Sequence, residues 1–250
     1  MAVVNPADFP KAVNVCNKAE NYYYTYLLLK SVLNNNSTIK HVIIPCSYDN
    51  FSVSQEEKMF DLINKYELLI SVGDLMKNKT LNSVKAIVHK ILPFDFENTL
   101  KTLIFHRLKP LPQDAIPYFG KYYYSEKSNL DTALMIESIA GGYYGNLGQY
   151  RSSGLFKDCF IKILELCRQK NVRLILVNTP YHPYYLSKIP ADAIRDFQKF
   201  ALNEIGKRRN VKYLDVTTMN FADSSYGDGH HVNAKGAKLL ADTICRFADL

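Results

Sequence analysis

The chain has 250 residues, 47% of them hydrophobic, so it can bury a sizeable core and wholesale disorder is excluded. Formal net charge is +7, but the basic residues are scattered and no RNA- or DNA-binding signature accompanies them; a solvated basic surface is expected and no nucleic-acid partner. Five cysteines, an odd count without C-x-x-C or Cys/His metal spacing, are expected as buried reduced thiols: Cys16, Cys46, Cys159, Cys167 and Cys245.

In chain order, residues 1–11 form an irregular lead-in with two prolines. AVNVC (Ala12–Cys16) is a predicted strand, followed by a turn and a helix from about Asn21 to Leu33 with Tyr22, Tyr26, Leu29 and Leu33 along one face. HVIIPC (His41–Cys46) is a continuous apolar run, expected as a strand buried on both faces. It opens into the polar loop SYDNFS. Helical patterning fills Gln55 to Arg107, and the Pro- and Tyr-rich stretch Lys109 to Tyr150 is expected to be mostly loop with one short helix.

A βα rhythm then returns. Leu155 to Gln169 is a predicted helix with Phe156, Phe160, Ile163, Leu164 and Cys167 inward, and VRLILVN (Val172–Asn178) is the clearest buried strand. The loop TPYHPYYLSKIP leads to a helix over Ala191–Lys207, the strand VKYLDV (Val211–Val216) and a terminal helix. Ala237, Leu240, Ala241 and Ile244 form that helix's apolar stripe, and Asn233 is its expected N-cap. The alternation predicts an α/β fold with a parallel sheet in one domain over 1–250, carrying a helical and Tyr-rich insertion at about 55–150. Ligands in such sheets bind beyond the strands' carboxyl ends. The loops at 46–50, 179–190 and His231 all fall there.

Asp228 and His231 stand three residues apart in DGHHVN. A carboxylate at that spacing can accept from Nδ1–H, fix the tautomer and leave Nε2 as a general base toward a hydroxyl. Spacing alone leaves open a surface loop in which the Asp binds amides and the His is solvated. His230 adjoins His231, but neighbouring residues are expected to point differently, so no metal site is expected. His182, Tyr181 and Tyr184 lie at the mouth of the expected cleft, where rings can cover a sugar face; a Pro-rich loop packed on itself is the alternative. The tyrosines at 122–124 and 143–144 carry the same pair of readings. Asp49 is expected as a turn residue, and Glu20 as a brace for its own turn.

These residues together resemble the SGNH/GDSL hydrolase superfamily, especially its bacterial cell-envelope branch. The last block is similar in Asp228, His231, Asn233 and Gly236; the second, N-x-G-x-S-G-[DE], in NVCNKAE (Asn14–Glu20); the third in VIIPCSYDN, ending at Asn50. The resemblance implies a flavodoxin-like, three-layer α/β/α fold with the insertion after the second visible strand. It also implies ester hydrolysis or O-acyl transfer, including deacetylation, on a carbohydrate or cell-envelope polymer, without a cofactor. His231 would be the base, Asp228 its orienter, and Asn50 with the backbone N–H of Ala19 the oxyanion donors.

The family's G-[DS]-S-[HR] nucleophile turn is missing, and by the family pattern its strand would lie just before Met1. Three readings stay open. A catalytic strand precedes the recorded start, with a membrane anchor or signal; the chain is a degenerate, non-catalytic binding module; or Ser47, Cys46 or Cys16 serves instead. For those three residues core-filling thiols and a loop-capping serine are the plainer expectation. Location follows the same fork: cytoplasmic as written, cell envelope if the start lies upstream.

Overall fold

The computed structural model describes residues 6–9, 11–15, 21–57, 127–144, 149–219 and 221–250. The chain divides into two compact units, Met1–Glu57 with Gly120–Leu250, and Lys58–Phe119. The described residues belong to the first. The expected helical stretch beyond Glu57, the tyrosines at 122–124, Cys16, Ala19 and Glu20 lie outside them.

Helix α1 (Tyr22–Asn35) begins where the side chain of Asn21 accepts from the N–H groups of Tyr23 and Tyr24, satisfying two donors that the first turn leaves unpaired. Strand β1 (His41–Pro45) follows, then a single 3₁₀ turn (Tyr48–Phe51) and the short α2 (Val53–Glu57). The expected short helix in the Tyr-rich stretch is α3 (Thr132–Glu137), capped by Asp131 and continued by a π turn over Ser138–Tyr143. Helix α4 (Gly154–Gln169) is capped by Ser153 and buries all five residues expected inward. It closes through Asn171, whose positive φ of 54° is one that asparagine tolerates, with Val172 N–H donating to the Cys167 carbonyl.

Strand β2 (Arg173–Asn178) is the hydrophobic centre of the sheet: every residue after Arg173 is buried. After it come α5 (Pro183–Leu186), α6 (Ala191–Phe197), a π turn (Gln198–Leu202) and α7 (Asn203–Gly206), so the helix expected over 191–207 is three consecutive pieces. Strand β3 (Val211–Asp215), a 3₁₀ turn (Asp223–Ser225) and α8 (Ala234–Ala248) complete the chain.

The described strands form one parallel sheet in the order β1-β2-β3, with Ile43 opposite Ile175 and Leu176 opposite Tyr213. The protein is therefore α/β with a small parallel sheet. Alternation of side chains assigns the two faces. Ile175 and Val177 meet Ala237, Leu240, Ala241 and Ile244 of α8, the predicted stripe. On the opposite face Tyr213 meets Phe197 of α6, which belongs to an aromatic cluster with Phe51, Phe160, Phe200 and Tyr22.

Two expectations are corrected. Residues 12–15 of the expected first strand are irregular and Val13 is 81% exposed, because an apolar run becomes a strand only where a neighbour pairs with it. Strand β1 is an outer strand of the described sheet, not a strand buried on both faces; of His41–Pro45 only Ile44 is buried. Cys46, Cys159 and Cys167 are buried free thiols, as expected, and Cys245 is half-buried.

Candidate active site

Because the strands are parallel, the segments leaving β1, β2 and β3 emerge at the same end of the sheet, and hydrogen bonds tie them together. Cys46 N–H donates to the Val177 carbonyl, Val216 N–H to Asn178, Tyr181 N–H to Thr217 and His182 N–H to Gly229. Rings continue the link. Tyr48 stacks on Tyr181 at 5.7 Å, Tyr181 on Tyr185 at 5.8 Å, and Tyr185 on His230 at 5.1 Å.

The loop after β3 is closed by short-range bonds. Tyr226 and Val232 form an isolated antiparallel bridge, and Gly227 N–H donates to the His231 carbonyl at 2.8 Å. Asn233 fastens its base: Oδ1 accepts from Lys235 and Gly236 N–H, while Nδ2 donates to the Ser224 and Tyr226 carbonyls. Two glycines permit the packing. A Cβ on Gly236 would lie 2.2 Å from the Ser225 carbonyl oxygen, and one on Gly229 would lie 2.6 Å from the Tyr185 ring and 2.9 Å from Met135.

Inside this frame His231 Nδ1 sits 2.9 Å from Asp228 Oδ2 and 3.1 Å from Oδ1. An ionised carboxylate only accepts, so Nδ1 carries the proton and Nε2 presents a lone pair. The His231 side chain is 56% exposed, and among the described residues nothing hydrogen-bonds its Nε2. Burial pushes the Asp228 carboxyl up, but the His231 hydrogen bond and the charges of both imidazoles outweigh it and hold Asp228 well below the usual carboxylate range.

His230 contradicts the expectation that neighbouring histidines diverge. Its ring centroid is 3.8 Å from that of His231, and its Nδ1 is 3.2 Å from Asp228 Oδ1. Both side chains turn to the same carboxylate because the tight loop and the Tyr143 and Tyr185 rings leave His230 nowhere else to go. Asp228, His230 and His231 bring three donor atoms within 4.8 Å of one another, a spacing that would admit a metal ion. His231 Nδ1 already hydrogen-bonds the Asp228 carboxylate, and Oδ1 also accepts the N–H groups of His230 and His231, each at 2.9 Å. Asp228 and His231 are thus paired as acid and imidazole.

Asn50, the expected oxyanion donor, lies in the turn after β1. Its Oδ1 accepts from Ser47 N–H at 2.7 Å, which anchors the amide by its oxygen and leaves Nδ2 as the group able to donate. Ser47 is half-buried at the head of that turn, and Cys46 is wholly buried; burial pushes its thiol up to about 12, which removes it as a thiolate nucleophile near neutral pH. Tyr181 is only 3% exposed and sits within the ring stack, away from any surface a sugar could cover. His182 caps α5, its Nδ1 accepting from Tyr184 N–H, and its Nε2 is 3.4 Å from Asp223. Tyr184 is half-buried with Lys188 Nζ 5.5 Å from its ring centre.

Asp49 and Tyr143 also bear on the histidines, although residue pattern marks Asp49 only as a turn residue and Tyr143 only as part of a tyrosine cluster. Burial pushes the half-buried Asp49 carboxyl up to about 6, against its own backbone N–H and the nearby His231 charge. Asp49 is therefore within electrostatic reach of the imidazole. Tyr143 sets its ring edge-on to His230 at 4.5 Å. The one sequence signal for either was proximity: Asp49 precedes Asn50, and Tyr143 lies in a tyrosine cluster.

A family model that carries no functional description matches residues 149–246, less than half the chain. That span runs from before α4 into α8 and includes the whole Asp228–His231 loop. A comparison with curated proteins finds no match.

Proposed function

We propose that this protein is an SGNH/GDSL-type acyl-transfer protein, with Asp228 and His231 as the acid–base pair of an esterase or O-acyl transferase. The observation that carries the reading is the 2.9 Å contact from His231 Nδ1 to the Asp228 carboxylate with Nε2 exposed. In this mechanism a serine hydroxyl gives its proton to Nε2 and attacks an acyl carbonyl, Asp228 stabilises the resulting imidazolium, and Asn50 Nδ2 donates to the oxyanion. Parallel strands with helices, Asn50 held by its oxygen, and Asn233 and Gly236 tying the loop to α8 all support a flavodoxin-like, SGNH-type frame. The substrate class that the resemblance suggests is an O-acylated carbohydrate or cell-envelope polymer.

A second reading keeps the same frame as a non-catalytic binding module. It is favoured by one observation: among the described residues no hydroxyl reaches His231 Nε2. The decisive measurement is p-nitrophenyl acetate hydrolysis by wild type, His231→Ala and Ser47→Ala chains, repeated with any in-frame codons upstream of Met1 included. Turnover from the 250 residues alone is expected at the His231→Ala background. His231-dependent turnover in the longer product, with a G-D-S-H or G-S-S-H turn in it, would carry the acyl-transfer reading. No such turn and no His231-dependent turnover in either product would leave only the binding module.

A further inference from the structure

We propose that Asp228, His230 and His231 form a binding site for a divalent transition ion of the zinc class. The three side chains converge on one point. Nδ1 of His231 stands 3.1 Å from Asp228 Oδ1, Nδ1 of His230 stands 3.2 Å from that same oxygen, and one donor atom from each residue falls within 4.8 Å of the other two. Donors held roughly 2.0–2.1 Å from zinc in tetrahedral geometry lie about 3.3 Å apart, so these spacings match a ligand set and need little movement to close on an ion. Two imidazoles with one carboxylate suit zinc and its neighbours rather than magnesium or calcium, which take oxygen ligands.

The contact of His230 with Asp228 points to such an ion. It is not a hydrogen bond: the ring nitrogen faces the carboxylate at ion-pair distance, and a neutral imidazole there gains little from the anion unless a cation lies between them. The ring is nonetheless held in place, stacked on Tyr185 at 5.1 Å and met edge-on by Tyr143 at 4.5 Å. The carboxylate is held too, since Oδ1 accepts the backbone N–H groups of His230 and His231 at 2.9 Å each, the support that ligating carboxylates generally have. The His230 side chain is 14% exposed, whereas those of His231 and Asp228 are 56% and 45% exposed. An ion would therefore have protein on one side and water on the other to fill its remaining position. Its effect on catalysis rests on the acyl-transfer reading. An ion on His231 Nδ1 moves the ring proton to Nε2, the nitrogen that would accept from the serine hydroxyl, so the metal-bound and acid–base states of His231 exclude each other.

The test uses the full 250-residue chain, stripped of metal with a chelator and titrated calorimetrically with zinc chloride and, separately, with magnesium chloride. Zinc is expected to bind at this site and magnesium is not. Removing an outer partner of a metal ligand costs roughly 10–100-fold in affinity, so loss of a ligand itself should cost at least about tenfold. That loss is expected in His230→Phe, which keeps the stacked ring, and in Asp228→Asn, which keeps an acceptor for the backbone N–H groups. Cys245→Ala, which removes the half-buried thiol outside the cluster, is expected to bind as wild type. Long-range ¹H–¹⁵N correlation on ¹⁵N-histidine protein reads the tautomer, and His231 is expected to pass from Nδ1–H to Nε2–H as zinc is added. The proposal is overturned by no zinc binding, by magnesium bound as tightly, by wild-type affinity in either cluster variant, by loss in Cys245→Ala, or by a His231 tautomer that saturating zinc does not move. Should a variant not fold, the tautomer of wild-type His231 decides. No ester hydrolysis by any product would count against the acyl-transfer reading alone and leave the metal site standing.

Discussion

Asp228 and Asp49 both act on His231, and they titrate in opposite senses. Asp228 is held below its ordinary range, so its contribution to stability is present above that range and is lost as the pH falls through the folded-state value. Asp228→Asn is expected to lower the melting temperature at neutral pH by a few degrees, about 1 kcal/mol after solvent screening, with the difference closing below about pH 3. Asp49 is raised to about 6, so its contribution is complete below the ordinary carboxylate range and disappears as the pH rises through about 6. Asp49→Asn should therefore stabilise the protein by roughly 1 kcal/mol at about pH 8 and leave it unchanged near pH 4, as thermal melts at the two pH values would show. The Asp228–His231 pair was legible because its members are three residues apart. Asp49 was not, because its closeness to His231 depends on the approach of two loops separated by most of the chain.

Short elements hold the site, and their packing is where substitutions should tell. Gly236→Ala forces a methyl to 2.2 Å from a backbone carbonyl that cannot rotate aside, and is expected to cost about 2–4 kcal/mol in a denaturant titration. Gly229→Ala meets the Tyr185 ring and the flexible Met135, and should cost less, about 1–2 kcal/mol. Asn233→Ala removes the α8 cap and leaves the Ser224 and Tyr226 carbonyls without their donor, for about 2–3 kcal/mol. The cap was readable, since asparagine before an apolar stripe at helical spacing has one good use. The division of 191–206 into three pieces was not readable, because π turns leave the apolar period nearly intact.

Across the molecule, two apolar layers flank the sheet and each can be probed. Phe160→Ala would empty a fully buried position between Tyr22, Phe51 and Phe200, and a loss of about 3–5 kcal/mol in unfolding free energy is expected. Residue pattern alone established α1, α4, α8, the buried strand β2 and the cap at Asn233, since periodicity and capping are local properties written in consecutive residues. It also named the pair Asp228 and His231. The strand expected at 12–16 shows the limit of that reasoning: a strand is completed by its neighbour, and among the described residues no strand pairs with 12–15. The same dependence on distant partners buried Tyr181, turned His182 into a cap, folded His230 back onto Asp228 and brought Asp49 within reach of His231. Each is a contact between segments far apart in the chain or packed against a third element, and only the assembled structure brings such groups together.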